Sequence, residues 1–183
     1  MTPPVPPADY WVFGYGSLMW DPGFAYRAVH PALLVGYHRR FCLYSQYYRG
    51  TPERPGLVLG LDRGGSCRGV VYQVAPEHAE ATRAYLWRRE LDDYAYLPKL
   101  LPVRHAGGPV RAQAFVVDRT TPQYAGALDD ETVAGLIAAG VGRRGRNRDY
   151  LENTLAHLRA LGVLDRGLER VAARVRALPA AVP

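Results

Sequence analysis

Between residues 11 and 118 the chain rises repeatedly into short apolar, β-branched or aromatic runs, and glycine and proline break each one off. Runs of this length between turn residues are what half-buried strands require. The pattern predicts strands over 11–15, 32–44, 56–62 and 68–75, then near 99–104 and 110–118. Arg49-Gly50-Thr51-Pro52, Arg63-Gly64-Gly65-Ser66 and Ala106-Gly107-Gly108-Pro109 read as the turns between them. Six short strands in 183 residues suit a closed or nearly closed barrel.

Helical signals come mostly later. Pro76 opens a helix that runs to about Leu91, since proline is tolerated in a first turn. Asp129, Asp130 and Glu131 set negative charge at the start of a second. Asn147 reads as the cap of a third, with Leu151, Leu155 and Leu158 at helical spacing and Gly162 ending it. Asp165 reads as the cap of a fourth, stopped by Pro179. Strands first and helices later predict an α+β fold, with no βαβ alternation and no internal repeat. A Pro-rich extended arm is expected over 1–9, and a single domain over 10–178.

The chain is 48% apolar and 22% charged, enough to build a core, so disorder is excluded. No apolar run approaches the roughly 20 residues that cross a bilayer. The N-terminus has neither a basic n-region nor an apolar h-region. Cys42 and Cys67 make no disulfide framework, and free thiols suit a reducing compartment. A cytoplasmic protein is expected. The formal net charge of +6 fits an acidic partner, whether a nucleic acid, an anionic membrane or a small anionic substrate, and alone discriminates none of them.

Two features point to chemistry. The first is Phe13-Gly14-Tyr15-Gly16-Ser17-Leu18-Met19-Trp20, where a good strand gives way to two glycines and a serine. Such a bend lets backbone amides approach a ligand, and successive N–H groups form a nest for an anion. It is equally readable as a tight turn. The second is Glu90. At about 100° per residue it falls on the helix face of Ala79, Thr82 and Leu86, while Arg88 points the other way. A buried carboxylate needs a partner or a raised pKa. Glu90 is therefore either a general base and acid or half of an ion pair with Arg83.

Other chemistries lack their residues. The five histidines show no HExxH or close paired spacing, and two cysteines give a zinc site few ligands. There is no GxSxG elbow, no third glycine after Gly14-x-Gly16 and no GxxxxGK[ST]. Gly142-Arg143-Arg144-Gly145-Arg146-Asn147-Arg148 reads as a phosphate-contacting RNA surface beside a stackable Tyr150, as a basic loop, or as the wall of a pocket for an acidic small molecule.

Taken together, six stretches resemble the ChaC-like glutathione-specific γ-glutamylcyclotransferase family. They are the 13–20 segment, Gly36-Tyr37-His38-Arg39-Arg40-Phe41, and Arg49-Gly50-Thr51-Pro52-Glu53-Arg54-Pro55-Gly56 with Gly69-Val70-Val71-Tyr72. Tyr85-Leu86-Trp87-Arg88-Arg89-Glu90 and Gly145-Arg146-Asn147-Arg148-Asp149-Tyr150-Leu151 complete the series. They occur in order from about Trp11 to Arg170. The resemblance implies a small β-barrel flanked by helices. It implies cleavage of glutathione to 5-oxoproline and cysteinylglycine, with no metal or organic cofactor and with a small molecule, not nucleic acid or membrane, as partner. It implies Glu90 as the catalytic residue and the Tyr15-Gly16-Ser17-Leu18 turn at the γ-glutamyl group. Tyr150 is expected either to bind substrate or to pack between the third helix and the barrel. In eukaryotic members glycines follow the glutamate. Here Leu91-Asp92-Asp93 follows, and both Tyr94 and Tyr96 stand where the family keeps a tyrosine. That leaves open the same chemistry on another γ-glutamyl amine or dipeptide, or a non-catalytic module that binds RNA or a γ-glutamyl metabolite. The oligomeric state is not readable from the sequence.

Overall fold

The computed structural model describes residues 8–91 and 95–179. The 1–9 arm therefore falls largely outside the described residues. Five strands, β1 (Tyr10–Gly14), β2 (Ala28–Ser45), β3 (Gly56–Val74), β4 (Tyr96–His105) and β5 (Gly108–Val117), close into a barrel in the order β1-β3-β2-β4-β5. The consecutive pairs are antiparallel. Closure comes from a short parallel contact, where Val12 of β1 meets Gln113 of β5. A closed barrel leaves no exposed sheet edge.

Two expected strands are one. Arg63-Gly64-Gly65-Ser66 reads as a turn, yet it lies inside β3. Val35 pairs with Ser66 and Tyr37 with Arg63, so Gly36 stands opposite Gly64 and Gly65 in a bulge. All three glycines have positive φ, at 92°, 99° and 65°. Glycine permits that backbone whether it ends a strand or bends one, and here the long β2–β3 ribbon coils on through it. The Ala106-Gly107 turn joins β4 to β5 as the sequence predicts.

The helices are α1 (Pro76–Glu90), α2 (Asp130–Ala139), α3 (Asn147–Ala160) and α4 (Arg166–Ala177). Asp129 caps α2 by accepting from the Thr132 N–H at 2.8 Å, and Asp165 caps α4 by accepting from Leu168 N–H at 3.2 Å. Asn147 is not a cap. It is the first residue of α3, and its side chain leaves the helix to pair with both backbone atoms of Leu57. Oδ1 accepts from Leu57 N–H at 2.6 Å and Nδ2 donates to Leu57 O at 2.7 Å. This clips α3 to β3.

One apolar cluster runs from the barrel, with Val12, Leu34, Leu59, Tyr72 and Phe115, to the packed helices, with Ile137, Leu155, Leu168 and Val175. The basic stretch is ordered. Strands β6 (Val141–Gly142) and β7 (Gly145–Arg146) form a small hairpin with Arg143 and Arg144 at its tip. Tyr47 O and Tyr48 O hold that tip by accepting from the N–H groups of Arg143, at 2.8 Å, and Arg144, at 3.0 Å.

Candidate active site

Helix α1 sets the first side chain. Thr82 and Leu86 are its buried residues, and Glu90 ends the helix on their face with 16% of its side chain exposed. Arg83, the partner weighed from sequence, goes elsewhere and lies over the Tyr10 ring, 5.5 Å from its centroid. Glu90 is paired instead with Arg89, whose Nε is 3.2 Å from Oε1. Burial pushes the Glu90 carboxyl above its ordinary range, and the charge and hydrogen bond of Arg89 oppose that shift without cancelling it.

Arg89 also ties α1 to the bend after β1. Its Nη1 donates to Asp21 O at 2.6 Å and to the Tyr85 hydroxyl at 2.9 Å, and its Nη2 to Ser17 Oγ at 3.1 Å. One guanidinium therefore touches the Glu90 carboxylate and the Ser17 hydroxyl together. Nothing in the helical wheel suggests this, because adjacent residues on a helix point about 100° apart. A long side chain overcomes that angle.

The bend itself is a single 3₁₀ turn, Ser17–Met19, entered through Gly16. Its ladder begins with Met19 N–H donating to Gly16 O at 2.9 Å, so the amides before Met19 precede it. Tyr72 Oη donates to Leu18 O at 2.7 Å and braces the turn from below. Arg39 holds it from behind. This guanidinium, its side chain only 2% exposed, donates to Tyr15 O at 2.5 Å, to Arg68 O at 2.6 Å and to Asp165 Oδ2 at 3.0 Å. In a trans peptide the C=O and the following N–H point oppositely, so the Gly16 N–H faces away from Arg39.

Ser17, Glu90 and Tyr150 line one cleft of about 650 Å³, with Tyr96, Arg49 and Arg144 also on its walls. Tyr15 and Leu18 are buried and are not on its walls, but the Tyr15 phenol lies close enough to Glu90, Tyr96 and Tyr150 to feel their charges. Gly16 is buried too, but a Cβ on it would project to 4.0 Å from the Tyr150 hydroxyl. Tyr150 packs against the barrel, its ring meeting Phe41 edge-on at 5.9 Å, and it also lines the cleft. Arg49 lies over the same ring at 5.0 Å.

Beside Glu90 the phenols are held neutral. Burial, then neighbouring charge including that of Glu90, raises Tyr15 and Tyr96 well above the usual phenol range, and burial pushes Tyr150 up to about 12. Tyr96 Oη donates to Leu59 O at 2.8 Å. Of the two tyrosines weighed at this point Tyr96 lines the cleft, while Tyr94, with Asp92 and Asp93, lies outside the described residues. Among the described residues, no group of three His, Cys, Asp or Glu is placed to hold a metal ion. No helix among them is long and apolar enough to cross a membrane.

The family model described as ChaC-like protein matches residues 10–178. The chain belongs to the ChaC-like family. Within it, the glutathione-specific γ-glutamylcyclotransferase of Escherichia coli (strain K12) is 38% identical over 169 residues, covering 92% of this chain and 73% of that protein. The glutathione-specific γ-glutamylcyclotransferase 1 of Mus musculus is 37% identical, covering 79% of this chain and 67% of that protein. That of Schizosaccharomyces pombe is 32% identical, covering 85% and 86%. A crystal structure of a yeast γ-glutamyl cyclotransferase specific to glutathione superposes with a TM-score of 0.83 at 24% identity, covering 93% of this chain and 97% of that one. The ChaC-like chain thus shares the cyclotransferase fold, an α+β barrel flanked by helices.

Proposed function

We propose that this protein is a γ-glutamylcyclotransferase that cleaves glutathione to 5-oxoproline and cysteinylglycine. The observation that carries the reading is the Glu90 carboxylate, held at a raised pKa by burial, in the same cleft as the Ser17 turn and Tyr150. The names of the relatives supply the substrate.

The reaction needs no nucleophile from the protein. The α-amine of the substrate attacks its own γ-carbonyl carbon, and a C–N bond closes a five-membered ring. The C–N bond to cysteine then breaks and releases an amine. No water is consumed. The α-ammonium must lose a proton before attack and the leaving amine must gain one, so one carboxyl can carry out both transfers. Glu90 takes that role. Burial brings its pKa nearer the operating pH, where a group can both accept and return a proton.

The turn takes the other half of the work. Gly16, Ser17 and Leu18 present backbone N–H groups to the α-carboxylate or to the oxyanion that develops on the γ-oxygen. Arg39 fixes the Tyr15–Gly16 peptide, so those donors need no reorganisation on binding. Ser17 Oγ already accepts from Arg89 and serves as a fixed dipole, not as a nucleophile. Tyr150 bounds the curled substrate and favours the near-attack geometry on which ring closure depends. A cytoplasmic site of action fits the two free, buried thiols of Cys42 and Cys67.

Mass-spectrometric detection of 5-oxoproline tests the reading. Glutathione should yield it, an N-acylated glutathione should not, and Glu90→Gln should fold and yield none. Turnover by that variant would remove Glu90 from the mechanism. Cleavage of the N-acylated compound would replace cyclisation by hydrolysis.

A further inference from the structure

The cleft holds more positive charge than proton transfer at Glu90 requires. Arg89 is committed to Glu90, Ser17, Tyr85 and the Asp21 carbonyl. Arg49 is committed to the Tyr150 ring and donates to Arg144 O at 2.5 Å. Arg144 differs from both. Its guanidinium makes no salt bridge or side-chain hydrogen bond among the described residues.

Yet Arg144 is held in place. Its N–H donates to Tyr48 O at 3.0 Å, its carbonyl accepts from Arg49, and its hairpin turns through Gly145 at a φ of 90°. The guanidinium lies over the Tyr48 ring, 4.7 Å from the centroid. Stacking occupies the flat face of a guanidinium and leaves its edge free, and that edge is the fork that binds a carboxylate through two parallel hydrogen bonds. A stacked, backbone-anchored cation on a cleft wall has lost its freedom before any ligand arrives, so an anion meets a prepared donor.

We propose that Arg144, steadied by Tyr48, binds the carboxylate at the far end of the substrate and makes the enzyme selective for γ-glutamyl peptides that end in a free carboxylate over neutral γ-glutamyl amines and amides. This rests on the cyclotransferase reading and adds to it. The γ-glutamyl half lies at the turn, where Glu90 and Ser17 are; the leaving half carries the only other carboxylate of glutathione. Of the arginines in the basic stretch, Arg144 lines the cleft while Arg143 and Arg146 do not. That favours the pocket-wall reading of the stretch. Because the contact is remote from the reacting atoms, it binds ground state and transition state alike, and its loss falls on KM.

The test compares glutathione with its glycine carboxamide, which removes the terminal charge and keeps the γ-glutamyl-cysteinyl part. 5-Oxoproline release is measured for the wild type, Arg144→Gln and Arg144→Lys. A charge-assisted bond of this kind corresponds to roughly 10- to 100-fold in binding. The wild type should prefer glutathione over the carboxamide in kcat/KM by about that factor. Arg144→Gln should raise KM for glutathione by a similar factor, change kcat little, and treat the two compounds alike. Arg144→Lys, charged but without the planar fork, should fall between. Equal use of both compounds by the wild type overturns the proposal, as does undiminished preference in Arg144→Gln or transfer of the effect to Arg88→Gln, since Arg88, set on the other face of α1 by the helical wheel, also lines the cleft. Release from neither compound removes the cyclotransferase reading itself and the proposal with it, an outcome distinct from release without discrimination.

Discussion

The guanidinium of Arg89 lies 3.2 Å from the carboxylate of Glu90, its neighbour in the chain, and reaches Ser17 Oγ with another nitrogen at 3.1 Å. The proposed base is thereby held between two opposing influences, burial that favours its neutral form and a cation that favours its ionised form.

Removing the cation gives a signed outcome. In Arg89→Met burial acts on Glu90 alone, so its pKa rises further. The acid limb of the kcat/KM–pH profile, which reports ionisation of the base in the free enzyme, should move to higher pH. Arg89→Lys keeps the charge and should move it less. A limb that stays put, or moves to lower pH, would remove Arg89 from control of Glu90.

The same group ties stability to pH. Its pKa is higher in the fold than in the unfolded chain, so folding favours the protonated form. That contribution is fully present below the unfolded pKa and is lost as pH rises through the raised folded value. Glu90→Gln carries no such dependence and should gain on the wild type across that window. Thermal unfolding of both proteins between about pH 4 and about pH 8 measures it. Parallel curves would contradict the raised pKa.

Gly16 separates folding from catalysis. A Cβ there meets nothing closer than Leu59 Cδ1 at 3.7 Å, an ordinary contact, yet it points toward the Tyr150 hydroxyl. Gly16→Ala should therefore unfold near the wild-type temperature and lose most 5-oxoproline release. A variant that keeps full activity would show that substrate does not come so close to the turn.

Asn147 makes the opposite kind of prediction. Asn147→Ala leaves the N–H and C=O of buried Leu57 without their partners. Each buried orphan costs about 1–3 kcal/mol, so the loss should be about 2–6 kcal/mol in denaturant unfolding. Because α3 also carries Tyr150, KM should rise in the folded fraction.

These residues mark what the sequence discloses and what it conceals. The strand runs, the acidic start of the second helix at 129–131 and the Asp165 cap are legible because each depends on neighbours a few positions away. The cyclotransferase motifs are legible as a series. The glycines at 64 and 65 mislead, since positive φ serves a bulge as well as a turn, and only the pairing of Gly36 across the ribbon decides between them. Asn147 misleads in the same way: its capping chemistry is spent on a strand 90 positions earlier. Arg89 is hidden by the helical wheel, which follows Cβ directions and not the reach of a long side chain. Tyr15 and Leu18 belong to the right turn, but both are buried, and it is the Tyr15 phenol, not an exposed side chain, that comes near Glu90 and Tyr96.

Arg39 carries one more implication. Its guanidinium bonds the Tyr15 carbonyl with one nitrogen and the Asp165 carboxylate, cap of the last helix, with another. The tail of the polypeptide is thus moored to the reactive bend near its head. Trimming residues from 165 onward, far from Glu90 in sequence, would slacken that mooring, and a shortened protein that still folds would behave as an enzyme whose proposed oxyanion pocket is loosened.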